Sequence, residues 1–535
     1  MNIKKGLVLL FALVLVLSVG CSNKENVSEK TKDAVKKTEE EKSEKISEGG
    51  RIILSVGDDP KVLHPFYATD RSTMTINNGL FDPLFVKDGE DIRYYLAENV
   101  SISDDNLIYT IKLKDNLKWH DGENLTADDL VFTFQKIVDE KQNANSYQNF
   151  IIGGEPVKVE KVDNLTVKLV LNKVSVPFLS TISGLSPIPK HIFEGEENFE
   201  KSEKNQKPIG SGPFKIKEWK KGESVVLERF DDYHGGKPHL DEVVFRIISD
   251  PNSEKVAFEN GEISTRYIDF ETYEKYEKEG NFNVFGFDEG MLNYMAFKLN
   301  SEALKDKKVR QAIAYGIDKE ELINGGYNST KYAEPAYTVL ASDTLYYTED
   351  VEHYDYNAEK AKKLLKEAGV ENIKLTLGYI NGSKEQQNQA LVIQQRLKEI
   401  GIEIELLPLE RGAFYQKLLD PSSTDFDLVF NGYVMGQEPD SYKLIFTKEG
   451  PYNFAQYKNV ELDKKWEEAA IEVNEEKRKT MYEEIQKEIM DDMIQYPICY
   501  PKALVSVDKK VGGVEEAKTV PIFMFEDLSK LYLTE

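Results

Sequence analysis

The chain has 535 residues, of which 40% are hydrophobic and 30% are charged, and its formal net charge is −25. This length exceeds what one hydrophobic core ordinarily holds, so we expect two or more compact units. The composition is that of a soluble globular protein, which argues against a largely disordered chain and a polytopic membrane protein. The acidic excess argues against nucleic acid as a partner, because phosphates call for a basic surface. Two cysteines, Cys21 and Cys499, are too few for a disulfide framework or a four-cysteine zinc site.

The N-terminus has the pattern of an export signal. Lys4 and Lys5 precede an apolar run over residues 6–19, which is too short for a comfortable membrane span. Residues 17–21 read LSVGC and resemble a bacterial lipobox, with Ser18 where the commonest pattern has leucine. We therefore predict that residues 1–20 are a signal peptide and that Cys21 is lipidated. An uncleaved signal anchor and ordinary secretion with a free Cys21 remain the alternatives.

The segment that follows is a charged tether. Residues 22–49 contain 15 charged side chains among 28 residues, with Lys and Glu interleaved and almost nothing apolar. Such a segment cannot bury a core, so we predict that residues 21–49 link the lipidated cysteine to the folded part.

The first predicted elements are strands and one well-signalled helix. Residues 51–56 and 107–113 form strand-like runs, and residues 157–171 indicate a hairpin that turns at Asp163-Asn164. Residues 126–137 predict a helix, because Thr126 suits an N-cap and acidic residues occupy the first turn.

A strand–helix–strand unit is predicted later in the chain. Asp318 begins one helix, and Asn357 caps another that ends at Gly369. Alternating apolar residues from Ile373 then predict a strand, which is followed by a helix that stops at Gly401 and by a second strand. The short connections imply a parallel pair with a right-handed crossover, so at least one unit is α/β.

Several longer motifs occur in a fixed order. Residues 109–122 read YTIKLKDNLKWHDG and continue as LTADDLVF at 125–132. The later segments are PIGSGPF at 208–214, DYHGGKP at 232–238, GEI at 261–263, VRQAI at 309–313 and IDK at 317–319. Together they resemble the family 5 extracellular solute-binding proteins, the oligopeptide and dipeptide receptors of ABC importers. The resemblance spans nearly all of residues 51–535, and departs from the usual residues at His234 and at His64-Pro65.

The resemblance implies an α/β fold with two lobes, the type II periplasmic-binding-protein fold, with an extra domain inserted in the first lobe. The expected first lobe combines residues 51–88, 206–288 and 501–535. The inserted domain is expected at 89–205 and the second lobe at 289–500. A ligand would be enclosed when the lobes close, and the closed form would dock on the permease.

The resemblance also implies which segments line the ligand site. The candidates are Thr69, Asp70 and Arg71 in the first lobe, Tyr294 near the crossing, and Tyr433, Met435, Gly436, Gln437, Glu438 and Asp440 in the loop 431–440. Peptide backbone would be held by protein backbone groups, as in strand addition. For Tyr294, packing in the core is the alternative role.

One expected residue is missing from the second-lobe loop. Receptors of this family often place an aspartate there to bind the peptide ammonium group, and that position falls here at Met435 or Gly436. Glu438 or Asp440 offers a substitute carboxylate, with capping of the following helix as the alternative role. The usual tryptophan is replaced by Tyr433.

No catalytic or metal-binding motif is present in the sequence. It contains no HExxH, Walker loop or GxSxG motif, and its six histidines have no metal-site spacing. We predict a monomeric peptide receptor without catalytic activity, cofactor or metal, held by lipid on the extracytoplasmic face of the bacterial cell membrane and partnered by an ABC permease. The alternatives are the same fold binding a nickel chelate or a glycan, a receptor for signalling peptides and, more remotely, an enzyme.

Overall fold

The computed structural model describes residues 46–534. The predicted signal peptide, Cys21 and most of the predicted tether lie outside the described residues. The last residues of that tether belong to the fold, because the first strand, β1 (Ile46–Ser47), pairs antiparallel with Tyr532–Thr534 near the C-terminus. No helix within residues 46–534 is long and apolar enough to cross a membrane.

The first stretch of the fold builds an antiparallel sheet with helices against it. Its elements after β1 are β2 (Arg51–Val56), α1 (Arg71–Leu80), β3 (Phe85–Asp88), β4 (Asp91–Tyr94), β5 (Ala97–Ile102), β6 (Ile108–Leu113), α2 (Ala127–Ile137), β7 (Ile151–Ile152), β8 (Glu155–Pro156), β9 (Lys158–Lys161), β10 (Thr166–Val170), α3 (Phe178–Ile182) and α4 (Lys190–Phe193). The sheet has the order β5-β6-β10-β9. Both predictions here are confirmed: β9 and β10 form the hairpin, and Thr126 caps α2 in a capping box with Asp129.

The first strands of the next stretch form a sheet with β2. Its elements are β11 (Phe214–Lys220), β12 (Ser224–Arg229), β13 (Glu242–Ile247), α5 (Pro251–Glu259), β14 (Thr265–Tyr267), α6 (Phe270–Glu279) and β15 (Asn283–Asp288). The sheet order is β11-β12-β13-β2, with only β13 and β2 parallel. The glycine of PIGSGPF is required here, because a Cβ at Gly210 would lie 1.9 Å from the Leu80 carbonyl oxygen.

The last stretch contains the predicted parallel unit. Its elements are β16 (Met291–Phe297), α7 (Lys307–Tyr315), α8 (Lys319–Tyr327), β17 (Ala333–Pro335), α9 (Ala358–Glu367), β18 (Ile373–Ile380), α10 (Lys384–Glu399), β19 (Ile402–Leu409), α11 (Arg411–Leu419), β20 (Leu428–Val434), α12 (Lys443–Phe446), α13 (Val460–Ala469), α14 (Glu475–Asp492), β21 (Gln495–Val507), β22 (Val511–Gly512), α15 (Val514–Ala517), β23 (Thr519–Val520), β24 (Met524–Phe525) and β25 (Tyr532–Thr534). Strands β18 and β19 are parallel and joined by α10, as predicted. Asp318 and Asn357 cap α8 and α9, also as predicted.

Strand β21 joins the two halves of the molecule. This strand has 13 residues, and its first half pairs with β16 while its second half pairs with β14 and β15. The large sheet therefore runs β14-β21-β16-β20-β18-β19 through both halves. The chain crosses once from β15 to β16 and once along β21.

The described residues pack around three large hydrophobic cores. The first-lobe core joins β2, α1, β11–β13 and residues 505–531, the insert core lies within residues 66–199, and the second-lobe core lies within 295–499. Leu84 and Phe85 pack in the insert core, and β3 pairs with β4 across the turn at Gly89. The boundary expected after Asp88 falls at the turn of this hairpin, and the position of the junction stays a prediction.

Candidate functional site

A large, mainly apolar cavity lies on the first-lobe side of the molecule, between that lobe and the inserted segment. It measures about 470 Å³ and is bounded by α1, β3, residues 181–186 and residues 520–528. Phe81 and Phe523 are among its apolar walls, and we call it the first-lobe cavity. Its buried Asp82 is hydrogen-bonded to the His234 ring at 2.5 Å, and its Glu526 binds Arg93 at 2.7 Å. The carboxylates in this cavity therefore already have partners.

A smaller, polar cavity lies on the second lobe where the chain crosses. This second-lobe cavity measures about 310 Å³. It is lined by Glu289, Met291, Asn293, Tyr294, Tyr327, Ser383, Glu385, Gln386, Gln389, Phe430, Asn431, Ile498 and Pro501. It lies beside the carboxyl end of β18 and the start of α10, which is where α/β sheets commonly bind ligands.

The predicted first-lobe residues form the entry to α1. Asp70 is its N-cap and accepts hydrogen bonds from the Thr73 backbone N–H at 2.9 Å and the Thr73 hydroxyl at 2.7 Å. Arg71 donates to Glu289 at 2.7 Å, and Thr69 is exposed. Because Glu289 lines the second-lobe cavity, the first turn of α1 lies beside that cavity. Asp70 has a structural role in this turn.

Tyr294 is a buried residue that borders the second-lobe cavity, and its contact with a ligand stays a prediction. Its side chain is 2% exposed, and its ring centre lies 5.0 Å from that of Tyr433. Its hydroxyl accepts a hydrogen bond from the Asn431 side chain at 3.1 Å, and burial raises its pKa. It also lines the second-lobe cavity, so it is both a packed residue and a wall.

The first residues of loop 431–440 are held by the second lobe. The Tyr433 hydroxyl donates to the Val339 carbonyl at 2.5 Å and accepts from the Gln495 amide at 2.8 Å. Met435 packs against the second-lobe core. Gly436 is exposed and has a φ of +74°, a conformation in which an aspartate would be strained. The local backbone therefore disfavours the family's usual aspartate at Gly436.

Gln437 bridges the two sides of the molecule. Its amide donates to Asp88 at 2.9 Å and accepts from the Gly89 backbone N–H at 2.5 Å. We call these two bonds the rim contact. Lys518 and Arg93 also bind Asp88 and hold the pKa of its carboxyl well below the usual range. The rim contact therefore involves a carboxylate that two cationic side chains hold in place. Gln437 lines neither of the two cavities.

Glu438 and Asp440 are buried and already compensated. Glu438 binds Arg478 at 2.5 Å, accepts from the Asp440 backbone N–H at 3.2 Å and from the Ser180 hydroxyl at 3.3 Å. The capping role predicted for Glu438 is thus confirmed. Asp440 forms an ion pair of 2.6 Å with Lys443. A ligand-binding role for either carboxylate stays a prediction.

Sequence reasoning missed the polar residues of the second-lobe cavity. Glu385 occupies the first turn of α10, where an acidic residue is an ordinary helix-start signal. Gln389 looks like one of several glutamines along the same helix, and Glu289 follows β15 without any motif. Only the three-dimensional fold brings these side chains together.

The chain belongs to the bacterial extracellular solute-binding proteins of family 5. The model of that family's middle region matches residues 91–455. Its fold is the two-lobed type II periplasmic-binding-protein fold with an additional inserted domain, as predicted. The family consists of substrate-binding proteins of ABC transporters rather than enzymes.

Individual relatives share this architecture over almost their whole length. The oligopeptide-binding protein AppA of Bacillus subtilis is 28% identical over 540 residues, covering 96% of each chain. The crystal structure of the ABC transporter substrate-binding protein CtaP of Listeria monocytogenes is 47% identical with a TM-score of 0.89, and the match covers 91% of this chain and 100% of that one. The structure of Bacillus subtilis AppA in complex with a nonapeptide has a TM-score of 0.75 at 28% identity, with coverage of 92% and 100%.

Proposed function

We propose that this protein is a receptor that captures peptides between its two lobes and delivers them to the permease of an ABC importer. The observation that carries the proposal is the pair of cavities on either side of the first turn of α1. Ala68 and Met74 line the first-lobe cavity, whereas Arg71 binds Glu289 in the wall of the second-lobe cavity. An extended ligand along this turn would meet an apolar space on one side and a polar space on the other.

Contacts between the lobes support enclosure of the ligand. Besides the rim contact, the Val176 backbone N–H donates to the Ala470 carbonyl at 2.9 Å. These contacts join the inserted domain, including its β3–β4 hairpin, to the second lobe. Closure by such contacts would exclude water from the ligand, as hinge-closing binding proteins require.

The lobe assignment forms part of the proposal. The first lobe would comprise residues 51–83, 206–288 and 501–535, the inserted domain 84–205, and the second lobe 289–500. The three separate hydrophobic cores support this division. It differs from the sequence-based boundaries only in the hairpin that begins at Phe85.

We also propose that Cys21 carries the lipid that holds a monomeric receptor on the outer face of the cell membrane. The support is the LSVGC sequence and the charged segment after it. Cys21→Ser should release the protein into the medium or a soluble fraction with its peptide affinity unchanged, whereas Ser22→Ala should leave it membrane-bound. Retention of Cys21→Ser on the membrane would contradict the anchor.

Binding measurements on ligand-stripped protein test the peptide assignment. The protein would be unfolded, dialysed and refolded, then titrated calorimetrically with peptide pools of increasing length. Peptides that bind the native state should also raise the unfolding temperature in proportion to their occupancy. Mass spectrometry of ligand released from untreated protein identifies the natural class. Absence of binding by every peptide pool, together with release of a chelate or a glycan, would overturn the peptide assignment.

A further inference from the structure

We propose that the second-lobe cavity binds a cationic side chain of the ligand, the ammonium of a lysine or the guanidinium of an arginine, with Glu385 as its counter-charge. This inference rests on the proposed peptide-receptor function and specifies the peptides preferred. The cavity lies at the crossing between the lobes, and Asn431 is the residue of loop 431–440 that lines it. One feature of its wall points to a cationic group, and a second points to a polar atom of the same ligand.

The first feature is the charge of the cavity wall. The lining contains two carboxylates, Glu289 and Glu385, and no lysine, arginine or histidine. Arg71 compensates Glu289 at 2.7 Å. Glu385 accepts only a hydrogen bond from the Ser383 hydroxyl at 3.0 Å, and within residues 46–534 it has no ion pair. One negative charge is therefore left over in a partly enclosed space, where a cationic partner is favourable.

The second feature is an unsatisfied amide in the same wall. Gln389 is 3% exposed, and its Nε2 atom has no hydrogen-bond partner in the described part of the chain. A buried amide N–H without a partner is unfavourable, so the expected complement is an acceptor atom of the ligand, such as a peptide carbonyl oxygen next to the cationic side chain. Gln389 lies one turn after Glu385 on α10, and both side chains line the cavity.

The local backbone is favourable for a carboxylate at Glu385. The residue lies in the first turn of α10, whose free N–H groups carry partial positive charge and stabilise a carboxylate. Asn431 and Asn293 add amide groups to the wall that accept hydrogen bonds from N–H donors.

Other side chains match this cavity less well. An apolar side chain would leave Glu385 and Gln389 without partners, and an acidic side chain would bring like charges together. The volume of about 310 Å³ suits a side chain rather than a second peptide. The ligand chemistry that satisfies the wall is therefore a lysine or arginine side chain, which pairs with Glu385, together with a neighbouring carbonyl oxygen, which accepts from Gln389.

The test compares peptides that differ in one charge. Alanine-based peptides of four and nine residues would carry one lysine at each position in turn, with norleucine in its place as the matched neutral probe. Calorimetry on refolded, ligand-free protein gives the affinity ratio of lysine to norleucine. We expect a ratio of at least about tenfold at one position, since truncation of a buried charge pair commonly has such effects.

Paired variants then test whether Glu385 causes the difference in affinity between lysine and norleucine peptides. Glu385→Gln should bring the ratio close to one while leaving norleucine peptides bound as in the wild type. Glu371→Gln is the matched control, because Glu371 is exposed just before the start of β18, whereas the cavity lies beside the carboxyl end of that strand. It should leave the ratio unchanged, and thermal unfolding would verify that both variants fold.

The outcomes separate this inference from the proposed function. Binding of lysine and norleucine peptides with equal affinity at every position would overturn the inference but keep the peptide receptor. A ratio that survives Glu385→Gln would also overturn it. Failure of every peptide to bind the wild type would overturn the proposed function, and the inference with it.

Discussion

Glu438 and Glu385 are two carboxylates of the second lobe in opposite situations. Glu438 is 9% exposed and bound by Arg478, by Ser180 and by a backbone N–H. Glu385 lines an open cavity with one hydroxyl as its partner. The difference shows that a carboxylate near the cleft is not by itself a sign of ligand binding. Only the carboxylate that the fold leaves uncompensated is available to a ligand.

The largest expected effect comes from removing the partner of Glu438. Arg478→Met keeps most of the side-chain volume and leaves a buried charge without compensation. We expect a loss of about 3–5 kcal/mol in the free energy of unfolding. Urea unfolding would measure it, with Arg411→Met as the control, because Arg411 is exposed at the start of α11. A loss below about 1 kcal/mol would contradict the contrast with Glu385, because Arg478 would then contribute no more to stability than a surface ion pair does.

A buried histidine, His120, should make the stability of the protein depend on pH. His120 is buried between backbone groups: its Nδ1 accepts from Gly210 at 3.1 Å and its Nε2 donates to the Gly212 carbonyl at 3.1 Å. Both ring nitrogens are thus satisfied in the neutral form, and burial lowers the pKa of His120 from 6.5 to about 4. Between these values the unfolded chain binds the proton more tightly. The stability that neutral His120 contributes is therefore fully present above about pH 6.5 and is lost at about 1.4 kcal/mol for each pH unit below it, down to about pH 4.

This pH dependence is measured by unfolding at about pH 7 and about pH 5. His120→Gln should flatten the slope, although part remains because burial also lowers the pKa of His64 to about 3. His191→Gln, at a half-exposed site beside Asp121, serves as the control. An identical slope in His120→Gln and the wild type would show that His120 does not stay neutral in the folded state.

A smaller effect is expected at the rim contact. Gln437→Leu removes two hydrogen bonds, each worth about 1 kcal/mol, between the second lobe and the β3–β4 hairpin. Closure should weaken while each lobe keeps its core, so ligand dissociation becomes several times faster. Stopped-flow release of a labelled peptide would measure this, with Gln387→Leu on the exposed face of α10 as the control. Equal dissociation rates in both variants would exclude a role of Gln437 in closure.

The smallest effect should occur at Glu385 itself. Since the Ser383 hydroxyl is the one hydrogen-bond partner of its side chain within residues 46–534, Glu385→Gln should change the free energy of unfolding by no more than about 0.5 kcal/mol. A loss comparable to that of Arg478→Met would make Glu385 a structural residue and remove the contrast between the two carboxylates.

Local signals account for what the sequence predicted correctly. The cap at Thr126 and the alternation from Ile373 depend on neighbouring residues only, and these elements form as predicted. Motif order identified the family and its fold. The contact between Gln437 and Asp88 joins residues 349 positions apart, so no local pattern signals it.

The candidate site was predicted less well for the same reason. The segment near Arg71 does reach the second-lobe cavity, but through an ion pair with Glu289 that no motif indicates. Glu385 and Gln389 resemble ordinary helix residues in the sequence. Their distinction arises only because, in the part of the chain that the structure describes, the fold places no ion-pairing cation beside Glu385 and no hydrogen-bond acceptor beside Gln389 Nε2.

Strand β21 makes the molecule sensitive to a change in chain length at one place. Its early residues, such as Ile498, belong to the second-lobe core, and Val505 and Val507 belong to the first-lobe core. Successive side chains of a strand point to opposite faces. One residue inserted near Pro501 would turn Val505 and Val507 away from the first-lobe core while leaving the earlier half in place. Insertions and deletions in homologous chains should therefore avoid this strand and collect in surface loops such as residues 420–425.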